Sequence, residues 1–273
     1  MSSNHDAREA RLAVVVVRYK TPLPNMKALQ ASRDKRLQDL RWVLVDNSPD
    51  PLAARDLESL AHNVEYIWMG GNRGLSVAYN RAVSQLPDSC THVCFLDQDT
   101  EDAQGYLNEL LVPGELMTDV TLPLVTAGDV ILSPCRRVGY WYRPIRRLGT
   151  PPANMSWINS GMVIRRNLLD RVQFSEELFL DYVDHQFAVD VQRFKPSISV
   201  RWENRLSQDF SRATDNRHQA ESRFSIFTRD IRRFYAGNAL SRAWAFALIS
   251  RRALKAAQRY RTTSFLHAIF RKG

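Results

Sequence analysis

Cysteine, glycine and long apolar runs are all in short supply in this chain, and each shortage removes a class of protein. Its three cysteines, Cys90, Cys94 and Cys135, show no paired metal-site spacing and are too few for a disulfide framework. They read as reduced packing cysteines of a cytosolic protein. The polar stretch Met1 to Arg11 has no hydrophobic signal core, and no apolar run approaches the roughly 18 residues that cross a bilayer, so neither secretion nor a membrane span is expected. The 11 glycines cluster only at Gly70-Gly71-Asn72-Arg73-Gly74. That cluster is neither a Gly-x-Gly-x-x-Gly fingerprint nor a P-loop with its Lys-Ser/Thr, so a dinucleotide fold and a P-loop NTPase are unsupported. Acidic residues are scarce in one place. From Glu221 to Gly273 only Glu221 and Asp230 oppose 12 Lys or Arg, an excess of ten, so the first 220 residues net −1 of the total +9.

What is present is enough for a core: 44% of the 273 residues are hydrophobic. The stretch Thr91 to Thr100 is the most informative. An apolar run, Val93-Cys94-Phe95-Leu96, has the character of a short buried strand and ends in two carboxylates one residue apart, Asp97 and Asp99. Two like charges there repel and lose hydration. Mg²⁺ or Mn²⁺, which binds through one or two carboxylates and completes its shell with substrate phosphates, would relieve them. From these residues alone an ordinary acidic loop at a strand end, where Asp is common, is the simpler reading.

Similar strands precede it. Arg11 to Tyr19 lacks alternation, as a parallel strand covered on both faces does, and Trp42 to Val45 and Val64 to Met69 follow. Helices are expected at Met26 to Leu40, Asp56 to Ala61 and Leu75 to Leu86. Strands alternating with helices predict an open, mostly parallel α/β sheet of the doubly wound kind, in which ligands bind beyond the carboxyl ends of the strands. Arg18, Asp46, Asn72 and Asp97 are thereby expected on one rim.

Five segments in order carry a resemblance: Val45-Asp46-Asn47-Ser48; Gly71 to Gly74 with Ala78, Asn80 and Arg81; Leu96-Asp97-Gln98-Asp99; Ile158-Asn159-Ser160-Gly161; and Glu177 to Asp184. Over about residues 12 to 240 the chain resembles glycosyltransferase family 2, of the GT-A fold, and within it the bacterial rhamnosyltransferase-like branch that builds cell-surface (O-antigen-like) polysaccharide. The resemblance implies an inverting transfer of rhamnose or another deoxyhexose from a dTDP- or UDP-sugar donor to a lipid-linked saccharide acceptor. It implies nucleotide contacts from Arg18, Tyr19, Asp46, Asn72, Gly74 and Asp97, a Mg²⁺ or Mn²⁺ on Asp97 and Asp99, and Asp184 as general base. Ser160, Gly161 and Asp181 would lie by the sugar and acceptor.

Departures from the family pattern are Gln186 and Asp190 after the base, and Gln208 in the Leu206-Ser207-Gln208 position where relatives carry a histidine metal ligand. Metal binding is therefore expected to be weak or absent. Two further classes stay open on these departures: a non-catalytic nucleotide- or glycan-binding relative, and a nucleotidyltransferase, although Arg18 to Pro22 offers no phosphate-cradling glycine loop.

Pro134 to Pro152 mixes Arg136, Arg137, Arg143, Arg146 and Arg147 with Tyr140, Trp141 and Tyr142. It reads as a mobile loop whose Trp141 and Arg143 meet the acceptor, since Arg forks onto phosphate and aromatics stack on sugars. The acidic rim argues against a nucleic-acid partner. The expected organisation is a disordered N-terminus to residue 10, a GT-A domain over 11–220 and a basic amphipathic helical segment over 221–273. In that segment Leu240, Trp244 and Leu248 form an apolar stripe, with Arg242, Arg252 and Arg259 elsewhere, which suggests a protein peripheral to the cytoplasmic face of an anionic inner membrane or, equally, a stripe docked on the main domain.

Overall fold

A computed structural model describes residues 11–146, 152–208 and 216–270. The N-terminal ten residues, expected to be disordered, and Arg147 of the basic loop lie outside the described residues. The first four strands are β1 (Leu12–Arg18), β2 (Arg41–Asp46), β3 (Val64–Trp68) and β4 (His92–Asp97), joined through α1 (Lys27–Gln30), α2 (Ala54–Glu58) and α3 (Leu75–Ser84). The chain continues through α4 (Ala103–Leu110), β5 (Val120–Ala127), β6 (Val130–Ser133), β7 (Cys135–Val138), β8 (Trp141–Pro144), β9 (Met155–Ser156) and β10 (Val163–Arg165). Then come α5 (Arg166–Leu169), α6 (Val183–Gln192), β11 (Ile198–Ser207), α7 (Arg217–Phe234), α8 (Ala239–Tyr260) and α9 (Ser264–Ala268).

The central sheet runs β11-β5-β10-β4-β1-β2-β3, with β6 paired to β5. Every pairing along it is parallel except those of β10 with β4 and β5. It is thus the mostly parallel α/β sheet that the strand spacing predicts. Because β1 is covered on both faces, its residues divide between two cores. Ala13 and Val15 join Tyr79 of α3 and Phe187 of α6, while Leu12, Val14 and Val16 join Leu29, Tyr106 and Leu107 of α1 and α4. That two-sided burial is why the strand reads as an unbroken apolar run.

One expected helix is broken up. Within residues 26–40 the single α turn of α1 is followed by 3₁₀ turns at Ala31–Arg33 and Lys35–Leu37, and another 3₁₀ turn, Leu23–Asn25, precedes it. The interruption is at Asp34, whose extended backbone and side chain cap the next turn at the Arg36 N–H, 2.8 Å away.

Residues 135–144 of the basic segment after Pro134, expected as a loop, form a hairpin. β7 and β8 pair from Cys135↔Pro144 to Val138↔Trp141, around a two-residue turn in which Gly139 takes φ 62°. Tyr140 stacks on Trp244 at 6.0 Å, and Trp141 meets the same ring edge-on at 4.6 Å.

Helices α7 and α8 both start with a reciprocal capping box, Asn216 with Gln219 and Asn238 with Ser241. Together with α9 they bury Phe224, Phe227, Ile231, Tyr235, Ile249, Phe265 and Ile269 in a third core. The expected stripe is offset by one residue. Ser241, Ala245, Ile249 and Ala253 face inward, Trp244 and Leu248 flank them half-buried, and Leu240 points to solvent.

Candidate active site

Strand register assembles the rim. Arg18 lies opposite Asp46, Asp46 opposite Trp68, and Val17 opposite Asp97, so the carboxyl ends of four neighbouring strands meet there. Backbone and side-chain bonds then tie all five motif segments into one network. Asn47 accepts from the Arg73 N–H at 2.7 Å and donates to the Gly74 carbonyl at 3.1 Å. Gly74, at φ 92°, touches Phe179 so closely that a Cβ there would sit 2.7 Å from the ring, and the Leu75 N–H donates to the Phe179 carbonyl at 2.6 Å. The segment containing Phe179 ends in Asp184, whose carboxylate accepts from the Asn159 N–H. Ser160, next along, accepts from the Asp97 N–H at 3.1 Å and shares a 2.6 Å hydrogen bond with Thr100.

Within this network the expected residues divide into those that face the rim and those that hold it. Asp46 is completely buried. Its carboxylate accepts from Arg18 at 2.7 Å, from the Tyr66 hydroxyl at 2.7 Å and from the Ser48 N–H at 3.0 Å. Burial, with the Asp46 carboxylate as the neighbouring charge, pushes that hydroxyl up to about 12. Asp46 therefore braces Arg18, which also donates to Ser48 at 2.9 Å and to the Thr21 carbonyl at 2.7 Å. Tyr19 and Asn72 are exposed, and the Tyr19 N–H is held by Gln98 at 2.9 Å.

Ser160 and Gly161 differ from expectation in their physical role. Both are buried, and a Cβ on Gly161 would lie 2.4 Å from Leu206 and from Pro123 at φ 80°. The glycine makes room for protein atoms, and the serine supports the acidic turn. Trp141 is engaged by Trp244, whereas Arg143 projects from an exposed position of β8. Asp181 is drawn to Arg252 of α8 at 3.7 Å.

The half-buried acidic cluster is electrostatically loaded. Burial, then the charge of Asp99, pushes Asp97 up to about 7 against a 2.6 Å hydrogen bond from Gln208. Burial, then the charge of Asp97, pushes Asp184 up to about 8. Beside it, His185 is held neutral by burial and by Arg137, near 4. Its ring stacks on Tyr142 of β8 at 3.8 Å and bonds Ser156 at 2.7 Å, which pins the base-bearing helix to the hairpin. The Asn159 amide is buried with neither its nitrogen nor its oxygen partnered. An orphaned amide beside a carboxylate is the kind of cost that binding sites carry.

No group of three or more His, Cys, Asp or Glu is placed to hold a metal among the described residues. The pair Asp97 and Asp99 nonetheless suits Mg²⁺ or Mn²⁺, ions that take one or two protein carboxylates together with phosphate oxygens. The mutual repulsion that raises Asp97 is what a cation would relieve.

Sequence reasoning missed the residue that ties the C-terminal helices to this site. Asp230 of α7, fully buried, accepts the backbone N–H groups of Phe179, Leu180 and Asp181 at 3.1, 2.8 and 3.0 Å. Arg229 bonds its other oxygen at 3.1 Å and lies over the Phe179 ring, and Arg233 donates to the Glu177 carbonyl. The signal was there: Asp230 is one of only two acids among the last 53 residues.

The family model of glycosyl transferase family 2 matches residues 26–172. No curated protein matches the chain in sequence. Among solved structures, S. aureus TarS 1-349 is 16% identical, with a TM-score of 0.53 over 92% of this chain and 72% of that one. The same protein in complex with UDP-GlcNAc is 17% identical, with a TM-score of 0.53 over 92% and 73%. The mannosyltransferase PcManGT from Pyrobaculum calidifontis, in complex with GDP-Man and Mn²⁺, is 13% identical, with a TM-score of 0.59 over 96% and 86%. These likenesses establish a shared fold.

Proposed function

The chain belongs to glycosyl transferase family 2, and from that premise we propose an inverting transfer of rhamnose or another deoxyhexose from a dTDP- or UDP-sugar to a hydroxyl of a lipid-linked saccharide. The observation that carries the inverting mechanism is Asp184. It stands in the first turn of α6, within electrostatic reach of Asp97, and its carboxyl is pushed up to about 8. A carboxylate so raised is a stronger base than a solvated one, and although only about a tenth is ionised at pH 7 that fraction grows steeply through pH 8, which suits it to take the acceptor proton as the hydroxyl attacks the anomeric carbon. Asn159 positions Asp184 through its N–H, and His185, held neutral and stacked on Tyr142, adds no positive charge beside it.

The donor end of the reading rests on Arg18, Tyr19, Asn72 and the Gly74 turn around the rim. Asp97 and Asp99 would hold Mg²⁺ or Mn²⁺, which as a Lewis acid offsets charge on a departing nucleoside diphosphate. Gln208, where relatives carry histidine, offers a weaker ligand and already engages Asp97, so metal affinity should be modest. Nearby folds hold UDP-GlcNAc or GDP-Man, so the donor panel must be wide.

The test is calorimetric titration with dTDP, UDP and GDP, with and without Mn²⁺, on the parent and on Asp99→Ala and Asp184→Asn. The expected result is one preferred nucleotide, metal-assisted binding weakened by Asp99→Ala, and unchanged nucleotide binding with turnover down at least about a hundredfold in Asp184→Asn. Full turnover in Asp184→Asn would overturn the base assignment. Preference for GDP would overturn the donor assignment.

A further inference from the structure

Helix α8 has a second apolar stripe, directly opposite the one that builds the C-terminal core. At about 100° per residue, Leu240, Ala243, Ala247 and Leu254 fall within roughly 60° of arc, and all four are exposed. Leu240 is 68% and Leu254 54% exposed. Phe246, 51% exposed, borders the stripe and meets Phe270, 78% exposed, at 6.4 Å. Scattered surface apolar residues need no explanation, but an aligned set with two aromatic rings at its edge does. The inward stripe of Ser241, Ala245, Ile249 and Ala253 already supplies the packing that holds α8 in place.

The flanks of the exposed stripe identify its partner. Exposed Arg251 and Lys255 border it on the side away from Phe246, Arg259 and Arg261 are exposed at the helix end, and the segment from residue 221 onward carries an excess of ten positive charges. A second copy of this chain would bring like charges together around the apolar contact. A nucleic acid would answer the charge and leave the leucines and phenylalanines in water. An anionic lipid surface answers both, accepting the apolar stripe at the acyl boundary and the basic flanks among its headgroups.

We infer that the outward face of α8, with Phe270 after α9, is a docking surface for an anionic bilayer, laid on from outside while Arg252 of α8, and Asp230 and Arg233 of the α7 helix packed with it in the C-terminal core, hold the segment that leads to Asp184. The reach inward is direct: on α7, Asp230 and Arg233 hold Glu177 to Asp181, and on α8 Arg252 pairs with Asp181. A chain docked by this face presents its site at a fixed height above the lipid, where a lipid-linked acceptor would lie. Among the described residues no helix is long and apolar enough to cross a membrane, so the contact is peripheral.

The test is flotation of the full chain with vesicles of phosphatidylcholine alone and of phosphatidylcholine with phosphatidylglycerol. The parent should float only with the anionic vesicles, and added salt should release it. The double variant Phe246→Ser/Leu254→Glu should lower binding at least tenfold. Arg251→Glu/Lys255→Glu should lower it at least as much, at roughly fivefold per basic residue removed before the new acids are counted. All four positions are exposed, so circular dichroism and the thermal midpoint should match the parent. Absence of flotation, or flotation unmoved by either variant, overturns the inference. So does a dimer seen by light scattering that Phe246→Ser/Leu254→Glu disperses, or retention of a single-stranded oligonucleotide in place of vesicles. The assay uses no sugar, so its failure would leave the transfer reaction standing, and loss of the transfer reaction would leave docking standing.

Discussion

Replacing Asp230 is the sharpest perturbation the structure offers. The side chain lies outside the matched family region, on a helix of the C-terminal segment, yet one of its oxygens satisfies three consecutive backbone N–H groups of the segment leading to Asp184. In Asp230→Ala those three donors and the Arg229 guanidinium lose a buried, charged partner. Breaking such a cluster costs about 3–5 kcal/mol, less than a sum over separate bonds because the loop relaxes as a unit. For a chain of this size, at roughly 2–3 °C per kcal/mol, the thermal midpoint should fall by about 6–15 °C. Asp230→Asn keeps one acceptor and should lose about half as much. Function should report the same geometry: well below either midpoint, turnover should drop at least about tenfold while nucleotide affinity holds, because displacement of the base costs rate more than binding. The assay pairs circular dichroism melts with turnover and nucleotide titration on the same samples. A midpoint within about 2 °C of the parent would refute the claim that this carboxylate holds the segment. A large midpoint loss with normal turnover at low temperature would refute its role in placing Asp184.

Two other outcomes follow from the site. The Asp184 carboxyl sits near 8 in the folded protein against an ordinary value near 4, so the folded state favours its protonated form. Its stabilising contribution is complete below about pH 4 and is lost as pH rises through about 8. Asp184→Asn, neutral throughout, should therefore gain stability relative to the parent as pH climbs across that window, measured by thermal melts in chelator; a difference independent of pH would sink the assignment. Gly161→Ala places a Cβ 2.4 Å from Leu206 and Pro123 at φ 80°, and should cost about 3 kcal/mol or more by urea unfolding. A variant as stable as the parent would show that neither neighbour confines the glycine.

Much of the rim was legible in the chain itself, because strand ends announce themselves. Each parallel strand is a short apolar run that stops at a polar residue, and topology sends those stops to one edge. Asp46 and Asp97 were placed that way, and register confirms that Arg18 and Asp46 are neighbours. The same logic could not say which polar residue faces outward. Asp46 looks like a ligand in sequence, but Tyr66, one strand over, turns it into a buried brace. Gly161 looks like room for a sugar, and Leu206, 45 residues later, fills the room.

Local chemistry along the sequence determined the alternation of strands and helices, the acidic turn and the basic helical tail, since burial on both faces of a strand and charge scarcity are written in composition and period. Long-range contacts decided the rest. The arginine-rich stretch after Pro134 became a hairpin because Gly139 turns it and Trp244, about a hundred residues later, receives its aromatic rings. The inward face of α8 was set by what Phe224, Phe227 and Phe265 leave to be filled, which shifted the buried stripe one residue from the one that periodicity favoured and left Leu240 and Leu254 outside. A helical period fixes which residues share a face; only the packed partners decide which of two apolar faces goes in.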